Sequence, residues 1–163
     1  GRIGKRLAQV FQAIGCECLY HDVIEIAEAR RFGAMPVSPE ELFARCDVIT
    51  IHIDSRPSNR HFVNAARIAL MKSDVLVINT SRGFVFDYEA LALFMRENRG
   101  AQAMIDVHDP EPFGQTYPIL GLENVKLYPH LAGRTETALE NMSWVVRDVL
   151  AVLEGRPPQH PAP

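Results

Sequence analysis

At 163 residues, 47% of them hydrophobic and 23% charged, the chain carries enough apolar material for a buried core and too much for an intrinsically disordered segment. Its 17 Lys and Arg against 20 Asp and Glu leave a formal net charge of −3, and the basic residues are scattered singly, which excludes the electrostatic footprint of a nucleic-acid binder. No apolar run is long enough to span a membrane, since the longest is broken by Arg147 and Asp148; Cys16, Cys18 and Cys46 match no metal-ligand spacing and are expected to be reduced, half-buried residues of a cytoplasmic protein.

In chain order, Gly1-Arg2-Ile3-Gly4 leads into apolar residues at Leu7, Val10, Phe11 and Ile14, whose spacing predicts a helix over 4–14 stopped by Gly15. A strand over 17–22 and a ragged helix over 24–31 follow. Ser38-Pro39-Glu40-Glu41 is a helix start, with Ser38 as N-cap, Pro39 at the first helical position and Glu41 closing a capping box; this helix ends near Cys46. Residues 47–52 predict a strand and 64–72 a short helix. The run Asp74-Val75-Leu76-Val77-Ile78-Asn79-Thr80-Ser81-Arg82-Gly83 predicts a strand buried on both faces that opens into a polar loop. Asp87 caps a helix to about residue 98 with the stripe Ala90, Leu91, Phe94 and Met95. Strands are expected over 101–107 and 125–128, separated by the loop His108-Asp109-Pro110-Glu111-Pro112, and one long helix over 135–154 precedes an extended, proline-rich tail.

Strands alternating with helices at this spacing predict right-handed βαβ units, hence an α/β fold with a doubly wound parallel sheet covered on both sides. Ligands of such sheets bind beyond the carboxyl ends of the strands. Those ends carry Asp22, then His52 and Asp54, then Thr80 and Arg82, then Asp106 and Glu111, then His130. An arginine followed by a glycine at a strand end suits bidentate contact with a carboxylate or phosphate, although a surface arginine in an ordinary loop is the alternative. Gly1-x-x-Gly4 before a helix, with Asp22 about 20 residues on, matches the latter part of a dinucleotide fingerprint, in which an acid accepts the ribose hydroxyls and repels a 2′-phosphate.

The segments Gly1-Arg2-Ile3-Gly4, Tyr20-His21-Asp22, Asn79-Thr80-Ser81-Arg82-Gly83, Asp106-Val107-His108-Asp109-Pro110-Glu111-Pro112 and Tyr128-Pro129-His130-Leu131-Ala132-Gly133 together resemble the D-isomer-specific 2-hydroxyacid dehydrogenases, over about residues 1–155. The resemblance implies a Rossmann-type NAD-binding domain over 1–133 and, over 134–163, a helix crossing to a substrate domain followed by the tail. It implies Arg82 on the carboxylate and carbonyl of the substrate, His130 as acid/base and Glu111 as its partner. Asp106 would hold the nicotinamide carboxamide, and Gly1, Arg2, Ile3 and Gly4 the pyrophosphate. Asp22 would hold the adenine ribose, while Ile53, Thr80, Ser81 and Gly133 line the cofactor beside Arg82 and His130. It further implies a 2-hydroxy or 2-keto acid as substrate, pairing of nucleotide domains into a homodimer, and no metal, nucleic acid or membrane. The residue types suit that chemistry: imidazole titrates near neutral pH, a neighbouring carboxylate favours imidazolium, and a guanidinium offers a fixed cationic fork.

Three positions depart from the family pattern: Asp54 stands where proline is usual, Asn59 where threonine is, and Arg134 where a small residue follows Gly133. His21 and His108 receive no role, and His61 and His160 are expected to be exposed. The strand and first glycine that should precede Gly1 are absent, so the sequence reads as an excerpt of a longer polypeptide. Two other classes fit the fold: an NAD(H)-responsive scaffold or corepressor, and a different Rossmann enzyme such as a methyltransferase.

Overall fold

Parallel strands alternate with helices in the computed structural model, which describes residues 1–27 and 32–159. By contact the chain falls into two units, Gly1–Pro129 and His130–Pro163, each described by itself.

The first unit opens with α1 (Arg2–Ala13). Gly15 ends it at φ 84°, where Cys16 N–H reaches Phe11 O and Gly15 N–H reaches Gln12 O, the paired bonds that close a helix through a left-handed glycine. Strand β1 (Leu19–Tyr20) is shorter than predicted and pairs in parallel with β2 (Met35–Pro36), which the sequence did not reveal. Of the helix expected over 24–31, residues 24–26 are not helical and Ala27 has 3-10 conformation; residues 28–31 lie outside the described residues. Beside these strands Ile26 and Ala34 form a small buried cluster with Ala8, Cys18 and Tyr20.

Next come α2 (Pro39–Arg45), β3 (Val48–Ile51), α3 (Ala65–Ile68), β4 (Leu76–Asn79), α4 (Tyr88–Glu97), β5 (Gln102–Ile105) and β6 (Val125–Leu127). Two caps are those the sequence announced, Ser38 accepting from Glu41 N–H at 3.1 Å and Asp87 from Ala90 N–H at 3.0 Å; Asn64, accepting from Arg67 N–H at 3.1 Å, is a third. Helix α3 is one turn long, less than predicted. Strands β3-β4-β5-β6 form one parallel sheet, in register from Val48 opposite Leu76 and from Leu76 opposite Gln102.

The single sheet expected is thus two sheets, β1-β2 and β3-β6. Nor is β4 buried equally on both faces. Side chains alternate across a strand, so Val77 and Asn79 lie buried with Ile49, Ile51, Ala103 and Ile105, whereas Leu76 and Ile78 on the opposite face are half-buried. The buried face packs with Phe43, Ile68, Phe86, Leu91 and Met95 into the main core. Cys18 and Cys46 are half-buried as expected, but Cys16 lies exposed in the loop after α1; all three are free thiols.

The second unit holds α5 (Glu136–Ser143) and α6 (Val145–Leu153), where one unbroken helix was predicted. Ser143 Oγ bonds back to Leu139 O at 3.0 Å, and the β-branched pair Val145-Val146 follows; both weaken a helix at the position where Trp144 interrupts it. Thr135 caps α5 through Ala138 N–H. Residues 155–159 turn back, with Gln159 N–H donating to Asp148 Oδ1 at 2.8 Å, so this part of the tail is not simply extended. No described helix is long and apolar enough to cross a membrane.

Candidate functional site

Because β3 to β6 run the same way, the loops that follow them leave from one edge of the sheet. At the end of β4, Asn79 is fully buried and organises the turn that carries Arg82. Its Oδ1 accepts from Ser81 N–H at 3.0 Å and from Ser81 Oγ at 2.7 Å, and its Nδ2 donates to Arg82 O at 3.1 Å. A polar side chain at the end of an otherwise apolar strand is the signal that identifies it. The Arg82 side chain is exposed, with Nη1 donating to Ser81 O at 2.7 Å; Thr80 is half-buried and Ser81 buried. On the next strand Asp106 is buried, and its N–H donates to Asn79 O at 2.9 Å, so Asp106 and the Arg82 turn share one hydrogen-bonded frame.

Gly83 closes that frame. A Cβ built there would lie 1.9 Å from His108 O, so only glycine lets the Arg82 turn rest on the backbone of the following loop. That loop, 108–113, carries Glu111 exposed, with both Asp109-Pro110 and Glu111-Pro112 cis. His108, which the sequence left without a role, is 6% exposed. Tyr88 donates to Val107 O at 2.9 Å; burial pushes its phenol up to about 12, with the charges of Asp109 and Glu111 adding to the rise. Arg60 Nη1 meets Asp109 Oδ2 at 3.1 Å and links the loop after β3 to this one.

A second group gathers around the start of α1. The Gly1 nitrogen lies 3.3 Å from Asp22 Oδ2. His52 Nε2 sits 2.8 Å from Thr50 Oγ1, and burial holds its pKa below the usual histidine range. The first turn of α1 has no acidic residue and no capping side chain, and the open space around Gly1 and Gly4 leaves the N–H groups of Arg2, Ile3 and Gly4 accessible to an anion. These are the properties that a dinucleotide pyrophosphate and ribose require, so the residues present fit NAD. Ile53 is half-buried beside His52.

Asp54 is engaged by its own loop. It accepts from Arg56 N–H at 3.2 Å and from Asn59 Nδ2 at 2.8 Å, and pairs with Arg56 Nε at 2.8 Å. Two of the three departures from the family pattern, Asp54 and Asn59, therefore bond to one another. His61 is exposed as expected, at φ 51°, whereas His160 lies outside the described residues. His21 stacks on Phe62.

The structure thus brings Gly1 and Asp22 together, and likewise Asn79, Ser81, Arg82 and Asp106. His130, Gly133 and Arg134 belong to the second unit. There His130 is half-buried at φ 55°, one of two non-glycine residues in the left-handed region among those described, a conformation that costs on the order of 1 kcal/mol. Gly133 and Arg134 are exposed. Among the described residues no cluster of His, Cys, Asp or Glu could hold a metal ion.

Comparison with known proteins identifies the family. Residues 1–132 match the family model of the D-isomer specific 2-hydroxyacid dehydrogenase, NAD binding domain. The chain is 33% identical over 160 residues to a glyoxylate reductase of Aeropyrum pernix, covering 97% of this chain and 48% of the relative. It is 32% identical over 153 residues to a D-3-phosphoglycerate dehydrogenase of Haemophilus influenzae, covering 90% and 36%. The crystal structure of a D-lactate dehydrogenase from Aquifex aeolicus, complexed with NAD and lactic acid, superposes with a TM-score of 0.83 at 32% identity, over 95% of this chain and 51% of that one. The chain spans about half the length, or less, of the curated relatives it matches.

Proposed function

Since this chain belongs to the D-isomer-specific 2-hydroxyacid dehydrogenase family and matches its NAD-binding domain, we propose that it serves hydride transfer between NAD(H) and a D-2-hydroxy acid or 2-keto acid in the full-length protein. The observation that carries the reading is the cradle at the start of α1, where Asp22 meets Gly1 beside uncapped helix N–H groups. An anion is stabilised there by the helix N-terminus, and the carboxylate accepts ribose hydroxyls while repelling a 2′-phosphate.

NAD supplies the hydride acceptor. The chain's own residues do the rest. Arg82, held by Asn79 at the end of β4, offers its guanidinium to the substrate carboxylate and carbonyl. Asp106 is placed next to that turn to accept from the nicotinamide carboxamide. His130 takes the hydroxyl proton in oxidation and returns it in reduction, with Glu111 as its partner; these two roles rest on the sequence pattern. Gly1, Arg2, Ile3 and Gly4 hold the pyrophosphate, and Ile53, Thr80, Ser81 and Gly133 line the cofactor. The same reading places the protein in the cytoplasm as a homodimer paired through its nucleotide domains.

NADH oxidation by the full-length protein with a panel of 2-keto acids, against Arg82→Ala and His130→Ala, tests the proposal. Turnover lost by both variants supports it; equal rates in all three proteins would sink it. Sedimentation of the full-length protein as a monomer would remove the dimer.

A further inference from the structure

We infer that His108 is the positioning residue of the loop bearing Glu111: its side chain ties that loop to Tyr128, and its backbone meets the turn bearing Arg82. The inference takes its functional meaning from the hydride-transfer reading above, but its geometry stands without it.

His108 Nε2 lies 2.8 Å from Tyr128 O. A carbonyl only accepts, so Nε2 carries the proton and donates. Its partner is two residues before His130 in the chain. On the other side of the ring, Nδ1 lies 3.3 Å from Tyr117 Oη, and burial holds the Tyr117 phenol far above its ordinary range, so its hydroxyl proton is available to a bare Nδ1. The Nε2–H tautomer satisfies both nitrogens at once. The ring itself meets Phe113 edge-on at 4.6 Å and Tyr117 at 5.5 Å, while Phe113 and Tyr117 stack at 4.8 Å, which pins both ends of the stretch that contains Glu111. The backbone of the same residue is the surface on which Gly83, the neighbour of Arg82, comes to rest. Three contacts of one buried residue therefore lead to the three segments on which the proposed chemistry depends.

Packing alone does not account for the residue type. A phenylalanine would fill the same space and keep the ring contacts, but it would remove the donor to Tyr128 O and the acceptor beside the Tyr117 hydroxyl, and a part-buried carbonyl that loses its donor bears a cost of desolvation. A donor at the Nε2 position adds a side-chain tie between the 108–113 loop and Tyr128, beside the backbone bond from Tyr128 N–H to Ile105 O at 2.8 Å.

Full-length His108→Phe and His108→Gln decide the matter, because the glutamine amide places a donor near the position of Nε2. In His108→Phe, kcat with a 2-keto acid is expected to fall about 100-fold, the scale of an ångström of misplacement at a reacting centre, with NADH affinity within about twofold of wild type. Amide exchange in peptides spanning 106–113 and 127–131 is expected to quicken about 10-fold as the hydrogen bond is lost. His108→Gln restores most of both. A folded His108→Phe with wild-type kcat and exchange overturns the inference, as does a His108→Gln no better than His108→Phe. Where His108→Phe fails to fold, the ¹⁵N spectrum of the wild-type ring decides: an Nε2–H tautomer supports the inference and an Nδ1–H tautomer overturns it. Absence of any wild-type turnover would instead remove the hydride-transfer reading, leaving exchange and tautomer to judge His108 separately.

Discussion

Replacing Gly83 with alanine adds one carbon atom where the chain has no room for it. Its ideal position lies 1.9 Å from His108 O, 2.0 Å from His108 C and 2.6 Å from Asp109 N. Ordinary contact begins near 3.4 Å, and all three obstacles are backbone, so no side-chain rotation relieves the overlap. The 108–109 backbone must retreat by about 1.5 Å, or the Arg82 turn must lift by as much, against the ladder bond between Asp106 and Asn79 and the bond from His108 to Tyr128. We expect a stability loss of about 3 kcal/mol, at the upper end for overpacking, and a kcat loss of about 100-fold as Arg82 and Glu111 move apart. Urea unfolding followed by circular dichroism, with steady-state kinetics on the full-length protein, measures both. Gly114→Ala is the control, since its added carbon meets nothing within 4 Å and belongs to the same loop region. A Gly83→Ala protein with the midpoint and kcat of Gly114→Ala would refute the steric reasoning.

Other expectations follow from the same geometry. Arg82→Lys keeps the charge but loses the planar fork, and kcat/KM for a 2-keto acid should fall roughly 30- to 150-fold, the equivalent of about 2–3 kcal/mol; an unchanged value would remove Arg82 from substrate binding. Asn79→Ala leaves Ser81 N–H and Arg82 O without their buried partner, so unfolding free energy should drop by about 1–3 kcal/mol and kcat should fall with it. Asp22→Ala should lower the preference for NADH over NADPH by about 10-fold or more, read from the two kcat/KM values, because the carboxylate that repels a 2′-phosphate is gone. The pKa of His52 is lowered in the folded state, so the unfolded chain binds the extra proton first. Its contribution is present above about pH 6.5 and is lost as pH falls from there through the folded value. The urea midpoint of His52→Gln should therefore decline less than that of wild type between about pH 7.5 and 5, and equal declines would contradict the assignment.

Much of the fold could be read because it is written in local chemistry. Ser38, Asn64, Asp87 and Thr135 each begin a helix by accepting from the N–H three residues on, a bond fixed by residue type and spacing alone. Strand β2 escaped detection for the opposite reason. Met35 and Pro36 are too short a run to show a period, and what makes them a strand is backbone: Met35 N–H to Cys18 O at 2.9 Å and Val37 N–H to Tyr20 O at 3.0 Å. The division of the C-terminal helix at Trp144 depends on Ser143 turning back to Leu139, one of several rotamers open to that side chain.

The site divides along the same line. Asp22, Arg82, Asp106, Glu111 and His130 could be picked out because charged or titratable groups stand where strands end, and that is a pattern in one dimension. Asn79 and His108 act on carbonyls, those of Arg82 and Tyr128, and every residue has a carbonyl, so nothing in the text of the chain marks which one is used. Asp54 and Asn59 show what such invisible partnership does to a reading made position by position. Taken singly each is an unexplained polar substitution in the family pattern. Their 2.8 Å hydrogen bond, with Arg56 closing the same loop, accounts for both at once: a loop usually stiffened by a proline is here held by a side-chain bridge, and the carboxylate is engaged within its own loop.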